Sequence, residues 1–207
     1  MRLPRLYPII DTAFLARRGI DPLDMARALA AAEAGIAQFR HKGPYTRETL
    51  AQAQQVGVVI REAGGLYVID DRADVALMAG AGGVHVGQED LPPAAVRNVV
   101  RDSMVVGFST HNEEQLRAAD DEPIDYLALG PIFGTMSKDN PDPSVGLREL
   151  ARLRRLTDKP LVAIGGITRA NARQALDAGA DSVAVISDLA AEDLEERLAG
   201  WLEVVGG

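Results

Sequence analysis

Eight short apolar runs alternate with helix-like stretches along the whole chain, and this alternation constrains the fold more than any other feature. The runs are residues 6–10, 36–39, 66–69, 83–86, 105–108, 126–129, 161–164 and 182–186. Between them lie Ala-rich amphipathic stretches such as DPLDMARALAAAEAG and NARQALDAGAD. Strands that alternate with helical segments pair in parallel through crossover helices, and continuous apolar strands fit a sheet covered on both faces. Eight such units predict an α/β chain folded as a single (β/α)8 TIM barrel, one catalytic domain over residues 1–207. The length just suffices, since such barrels take about 200 residues or more. An open doubly wound sheet would more often need about five or six strands and a glycine-rich turn after the first. Here the first run leads into DTAFLARRG instead. The stretches EAGIAQF, GAGGVHV and DAGADSVAV each pass from a helix end through glycine into a strand, where glycine can take a left-handed cap.

Composition narrows the partners. With 22 basic against 30 acidic side chains the formal charge is −8, which argues against nucleic acid. A small anionic ligand held by a local basic cluster remains compatible with it. Aromatics make up only 4%, so the core is expected to rest on Ala, Val, Leu and Ile. The chain has no cysteine, which excludes disulfides and thiolate chemistry. MRLPRLYPIID does not read as a secretion signal, and no segment approaches the ~20 apolar residues of a membrane span. The expected setting is the cytoplasm. The expected partners are phosphorylated small molecules, with neither nucleic acid nor membrane. A homo-oligomer is compatible with the sequence but not required by it.

In such a barrel the chemistry sits at the C-terminal ends of the strands. The second strand ends Gln38-Phe39-Arg40-His41-Lys42. Alternation puts Gln38, Arg40 and Lys42 on one face, where two cations and an amide suit a phosphate or diphosphate. His41 falls on the other face and is expected to be peripheral. The third strand ends Asp70-Asp71-Arg72, and the fourth continues into Gly87-Gln88-Glu89-Asp90. Carboxylates at adjacent strand ends can share one hard cation, and Mg2+ accepts one or two of them with water and phosphate oxygens. Asp71 and Asp90 are the candidates; the competing use of each is as a helix cap.

The fifth strand ends Ser109-Thr110-His111. Its hydroxyls can bond phosphate, or either can cap the helix starting near Asn112. His111 could act as an acid or base, but a hydrogen-bonded structural role fits it equally, and His85, inside an apolar strand, is expected at the pocket floor. Thr135 and Ser137, with Lys138 following, again suit an anion, within a long loop at residues 134–145. Gly165-Gly166 after the seventh strand and Ser187 after the eighth match the recurrent backbone phosphate cup of this fold. Two anion sites across one barrel mouth suggest two phosphorylated substrates joined there.

At these residues the sequence resembles the thiamine phosphate synthase family. The resemblance runs over nearly the whole chain through QFRHK, DDRADVA, GVHVGQEDLP, GFSTHN, GPIFGTMSK with its NPDP, AIGGI and GADSVAVIS, in order. It implies a magnesium-dependent transferase that couples an aminopyrimidine methyl diphosphate to a thiazole phosphate, or to its carboxylated tautomer. It implies that Gln38, Arg40, Lys42, Ser109 and Lys138 bind the pyrimidine diphosphate, Arg40, Lys42 and Lys138 acting in catalysis. Asp71 and Asp90 would hold Mg2+, while Thr135, Ser137, Gly166, Ile186 and Ser187 would hold the thiazole phosphate. The chain departs from the family's usual pattern at Asp70, where asparagine is customary, and at Ser137, where threonine is. Asp70 stands in the substrate-binding set, and because a carboxylate repels phosphate it is expected to approach the metal or turn from the diphosphate. Two alternatives are a thiazole tautomerase on a similar barrel and a non-catalytic barrel that binds a phosphorylated ligand.

Overall fold

In the computed structural model, which describes residues 1–134 and 143–206, eight parallel strands close into a barrel in chain order. They are β1 (Leu6–Asp11), β2 (Ile36–Arg40), β3 (Leu66–Asp70), β4 (Gly83–Val86), β5 (Val105–Thr110), β6 (Tyr126–Leu129), β7 (Leu161–Ile164) and β8 (Ser182–Val185). The helices are α1 (Thr12–Arg17), α2 (Pro22–Ala31), α3 (Arg47–Glu62), α4 (Ala73–Met78), α5 (Pro93–Val100), α6 (Glu113–Asp120), α7 (Leu147–Leu153), α8 (Ala172–Asp177) and α9 (Leu194–Gly206). The first crossover holds both α1 and α2, and β8 closes onto β1 with Leu6 opposite Val183. The predicted (β/α)8 barrel is the fold observed.

Alternation along each strand divides the apolar residues into two cores. Leu6, Ile10, Phe39, Ile69, Val84, Val106, Leu127 and Val183 face outward and pack beneath helix residues such as Leu29, Val56, Leu116, Leu150 and Trp201. Tyr7, Ile9, Ile36, Val68, Tyr126, Ala128, Val162 and Ala184 face inward and fill the barrel. Each fully buried Leu- or Val-sized side chain contributes about 1.5–3 kcal/mol of transfer free energy, so both faces of every strand help hold the barrel closed. The aromatics are few but well placed: Trp201, Tyr7, Tyr67, Tyr126 and Phe39 are among the largest fully buried side chains.

Four strands run past their apolar runs, to Asp11, Arg40, Asp70 and Thr110. These polar residues remain in the ladder because strand pairing is a backbone property, as in the registers Asp11 with Arg40 and Asp70 with His85. β8 ends one residue earlier, at Val185, where Ile186 leaves extended geometry at φ −113, ψ −71. Of the three expected glycine caps, Gly80 and Gly179 follow their helices with φ of 62 and 108. At the end of α2 the first left-handed residue is Glu33, at φ 50, with Gly35 following at φ 75.

Helix starts follow local chemistry. Asp11, Asp21, Thr46 and Asn112 cap α1, α2, α3 and α6 through side-chain oxygens, each cap worth about 1 kcal/mol. Neither Ser109 nor Thr110 caps α6; Thr110 is fully buried and donates to the Ala128 carbonyl across the sheet. The helices α4 and α5 have no side-chain cap, so Asp71 and Asp90 are not used as helix caps.

Candidate functional site

The inward alternation of β1 to β5 brings a polar layer to the C-terminal mouth, above the apolar floor. Gln38 and Arg40 extend the inward series of β2 from Ile36, as the sequence period predicts. Asp70 does the same on β3 and Asp11 on β1. Asp70 lies at the centre. Its Oδ1 accepts from Gln38 Nε2 at 2.6 Å, and its Oδ2 has Lys42 Nζ at 2.9 Å and Arg40 Nε at 3.5 Å, with no donor aligned on it. Burial pushes the Asp70 carboxyl up, Lys42 and Arg40 pull it back, and nearby Asp90 adds to the rise. Burial lowers the Lys42 ammonium, but Asp70 and Asp71 together raise it further, so it stays charged.

Asp11, absent from the sequence-derived set, holds both ends of this arrangement. Its Oδ1 caps α1 at Phe14 N, and its Oδ2 pairs with Arg40 Nη1. The signal was available in the alternation Tyr7, Ile9, Asp11. Asp71 takes a left-handed φ of 62, which aims its carboxylate at Lys42 while its N–H donates to the His85 carbonyl at 2.7 Å. Backbone conformations of this kind cost on the order of 1 kcal/mol in a non-glycine residue and gather at functional sites. Asp90 Oδ2 accepts from Gly87 N at 2.7 Å, closing the turn after β4. Tyr45 is a second group absent from the sequence-derived set, and no motif or alternation marks it. Its hydroxyl is buried and finds no partner among the described residues, and burial with Asp70 and Asp71 nearby pushes it up to about 12.

Three carboxylates thus surround the β3 and β4 ends. Among the described residues no group of three or more acidic or histidine side chains converges as a metal cage. Of these, Asp71 faces Lys42 and Asp90 accepts from Gly87 N, and both are oxygen donors of the kind a magnesium ion would share with water and phosphate. Lys42 Nζ already bridges Asp70 and Asp71 as a cation.

Above the floor, His85 joins Tyr126 and Ser109, with Nδ1 3.0 Å from the Tyr126 hydroxyl and Nε2 2.8 Å from Ser109 Oγ. Burial first, then Lys42, lowers its pKa to about 4 against a smaller opposing effect of Asp90. His41 turns aside to Thr12 Oγ1, and His111 Nδ1 contacts the Gly130 carbonyl at 2.6 Å.

Across the mouth, the β7 end carries Gly165 and Gly166 at φ 95 and 64. The segment following β6 lies against them: Ile132 N donates to Ile164 O and Phe133 N to Gly165 O. A Cβ at Gly165 would stand 2.4 Å from Pro131, and one at Gly166 2.5 Å from the Gly134 carbonyl. Close backbone approach is therefore used first by the chain itself. Ile186 packs on the inner core and exposed Ser187 opens a short 3-10 turn at Ser187–Leu189. Asp188 ties this turn to the β7 loop through Arg169 and to α9 through Arg197. Thr135, Ser137 and Lys138 lie outside the described residues, though Val145 N and Gly146 N return to the Pro131 and Ile132 carbonyls. The groove at the opposite end of β5 offers no comparable chemistry, because Arg97 there is engaged by three backbone carbonyls and Asp125.

The family model described as thiamine monophosphate synthase matches residues 6–189. The thiamine-phosphate synthase of Koribacter versatilis is 49% identical over 99% of this chain and 97% of its own length. That of Methanoculleus marisnigri is 40% identical over 94% of this chain and 95% of its own. Among solved structures, the thiamine phosphate pyrophosphorylase of Pyrococcus furiosus superposes with a TM-score of 0.87 at 31% identity, over 98% of this chain and 96% of that one.

Proposed function

The chain belongs to the thiamine monophosphate synthase family, and from that membership we propose that it joins an aminopyrimidine methyl diphosphate to a thiazole phosphate or its carboxylated tautomer. It is an enzyme of the transferase class. The products of the proposed reaction are thiamine phosphate and diphosphate. The observation that carries this reading is the charged network of Gln38, Arg40, Lys42, Asp70 and Asp71 at one side of the mouth. It stands across the barrel from the glycine turn of β7.

The carbon–oxygen bond to diphosphate breaks with its electron pair leaving on the diphosphate. The aminopyrimidine spreads the positive charge left on its methylene, and the thiazole nitrogen then forms the new carbon–nitrogen bond. No protein nucleophile is needed. Arg40 and Lys42 stabilise the departing negative charge, as preorganised cations do. Lys42, with its side chain about half exposed at 47%, can give one N–H to the diphosphate while keeping its carboxylates. Arg40 is held on target by Asp11. Lys138, Ser109 and Gln38 complete this half, with Asp70 orienting Gln38. Thr135, Ser137, Gly166, Ile186 and Ser187 hold the thiazole phosphate.

Asp71 and Asp90 would hold Mg2+, which when bound supplies charge neutralisation for the leaving diphosphate. The working compartment proposed is the cytoplasm; no helix of the described residues is long and apolar enough to cross a membrane.

The test is a coupling assay with both substrates, with and without Mg2+. Thiamine phosphate forms, and formation is lost in excess chelator and falls at least about a hundredfold in Asp71→Ala. Full activity in chelator would remove the metal from the reading. Proton exchange on the thiazole phosphate without coupling would favour an isomerase instead.

A further inference from the structure

Ser109, assigned above to the diphosphate, is one end of a buried line of hydrogen bonds. His85 Nε2 lies 2.8 Å from Ser109 Oγ, His85 Nδ1 3.0 Å from the Tyr126 hydroxyl, and that hydroxyl 2.7 Å from the Tyr7 hydroxyl. The four groups come from β5, β4, β6 and β1 and run from the barrel floor to its mouth. Gly107 makes room for the line: a Cβ there would stand 2.1 Å from the Tyr126 ring and 2.5 Å from His85 Nδ1. The His85 and Tyr126 rings stack at 5.5 Å.

Each link takes one hydrogen, given from one side. Tyr7, Tyr126 and Ser109 each carry one hydroxyl hydrogen, and a neutral His85 carries one ring hydrogen. Burial keeps both tyrosines protonated and His85 neutral. Four hydrogens thus serve three links, and one is left over. Its position depends on which ring nitrogen is protonated. With the hydrogen on Nδ1, His85 donates to Tyr126, Ser109 must donate to Nε2, and the spare hydrogen falls on Tyr7 or Tyr126. Both are buried, and among the described residues neither hydroxyl has a further acceptor. A buried donor without an acceptor is unfavourable. With the hydrogen on Nε2, Tyr7 donates to Tyr126, Tyr126 to Nδ1, and Nε2 to Ser109. The spare hydrogen is then that of Ser109, at the half-buried end of the line.

We infer that Tyr7, Tyr126 and His85 form a directional hydrogen-bond chain that fixes the Nε2–H tautomer of His85 and makes Ser109 a dedicated donor to an anion at the barrel mouth. The three are positioning residues, acting through Ser109. The identity of the anion as diphosphate rests on the function proposed above; the direction of the chain does not.

Histidine 15N NMR of the intact protein reads the tautomer directly. The expected spectrum has His85 protonated at Nε2, and protonation at Nδ1 would overturn the inference. Calorimetric titration with inorganic diphosphate and Mg2+ reads the use of the chain. Ser109→Ala weakens diphosphate binding about tenfold, the value of one hydrogen bond to a charged group. Tyr126→Phe weakens it less, gives a mixed His85 tautomer, and adds nothing further on top of Ser109→Ala. Full additivity in the double variant would show a merely structural Tyr126 and overturn its positioning role. Should Tyr126→Phe fold poorly, the wild-type tautomer alone still decides the direction. An Nε2–H tautomer with diphosphate binding unchanged in Ser109→Ala would leave the chain standing and overturn the assignment of Ser109 to diphosphate.

Discussion

Asp70 shows how one residue reshapes a charged site. A carboxylate at the centre of Gln38, Arg40 and Lys42 adds a negative charge beside cations that an anionic substrate would meet. It does not leave them without support on removal, because Arg40 keeps Asp11 and Lys42 keeps Asp71. Asp70→Asn preserves an oxygen for the Gln38 amide and removes one negative charge from the anion site. The expected result is a KM for the pyrimidine diphosphate lower by about threefold to tenfold with the fold unchanged. Steady-state kinetics at fixed Mg2+ checks it, and a higher KM would mean that Asp70 organises the cations more than it competes for them. The carboxylate is visible in DDRADVA as a departure from the resembled family. That it would face the cations from within the barrel was not legible, since the sequence does not say which of two adjacent aspartates points inward.

At the scale of elements, the junction between β7 and the segment after β6 deserves a direct test of packing. Gly165 combines a φ of 95 with a Cβ position only 2.4 Å from Pro131. Gly165→Ala therefore meets both backbone strain and overlap, and should destabilise the protein by about 2–4 kcal/mol. Urea unfolding of the two proteins measures it; a change below about 0.5 kcal/mol, the size of an ordinary surface substitution, would show that the junction yields freely. The sequence marked these glycines as a phosphate cup. The structure adds that the same lack of side chains lets the β6 loop lie on the β7 end, so one feature serves both loop packing and backbone access.

For the whole molecule, a buried neutral histidine links stability to acid. His85 titrates near 4 in the fold, held down by burial and Lys42 against Asp90, and near its ordinary value of about 6.5 when unfolded. Between those values the unfolded chain binds more protons, so stability falls as pH falls. The contribution is complete above about 6.5 and lost by about 4, amounting to something on the order of 3 kcal/mol. Urea midpoints from pH 7 to 4 should drop less steeply in His85→Gln than in the wild type. Parallel curves would place the acid sensitivity elsewhere among the carboxylates.

The sequence by itself determined the architecture. Eight apolar runs alternating with helix-like stretches read as a parallel sheet covered on both faces, their number favours the closed barrel over an open sheet, and strand alternation puts Gln38 and Arg40 together on one face. Those are local properties, set by period and by what each face must avoid. What only the tertiary structure decided is which side chains from different strands meet. Asp11 reaches Arg40 and Tyr126 reaches His85 from positions 29 and 41 residues away. Asp71 and Asp90 proved not to cap the helices that follow them. Such pairings depend on barrel register and on the room left by residues like Gly107. A chain read in one dimension carries the tools in order, while closure of the sheet chooses their partners.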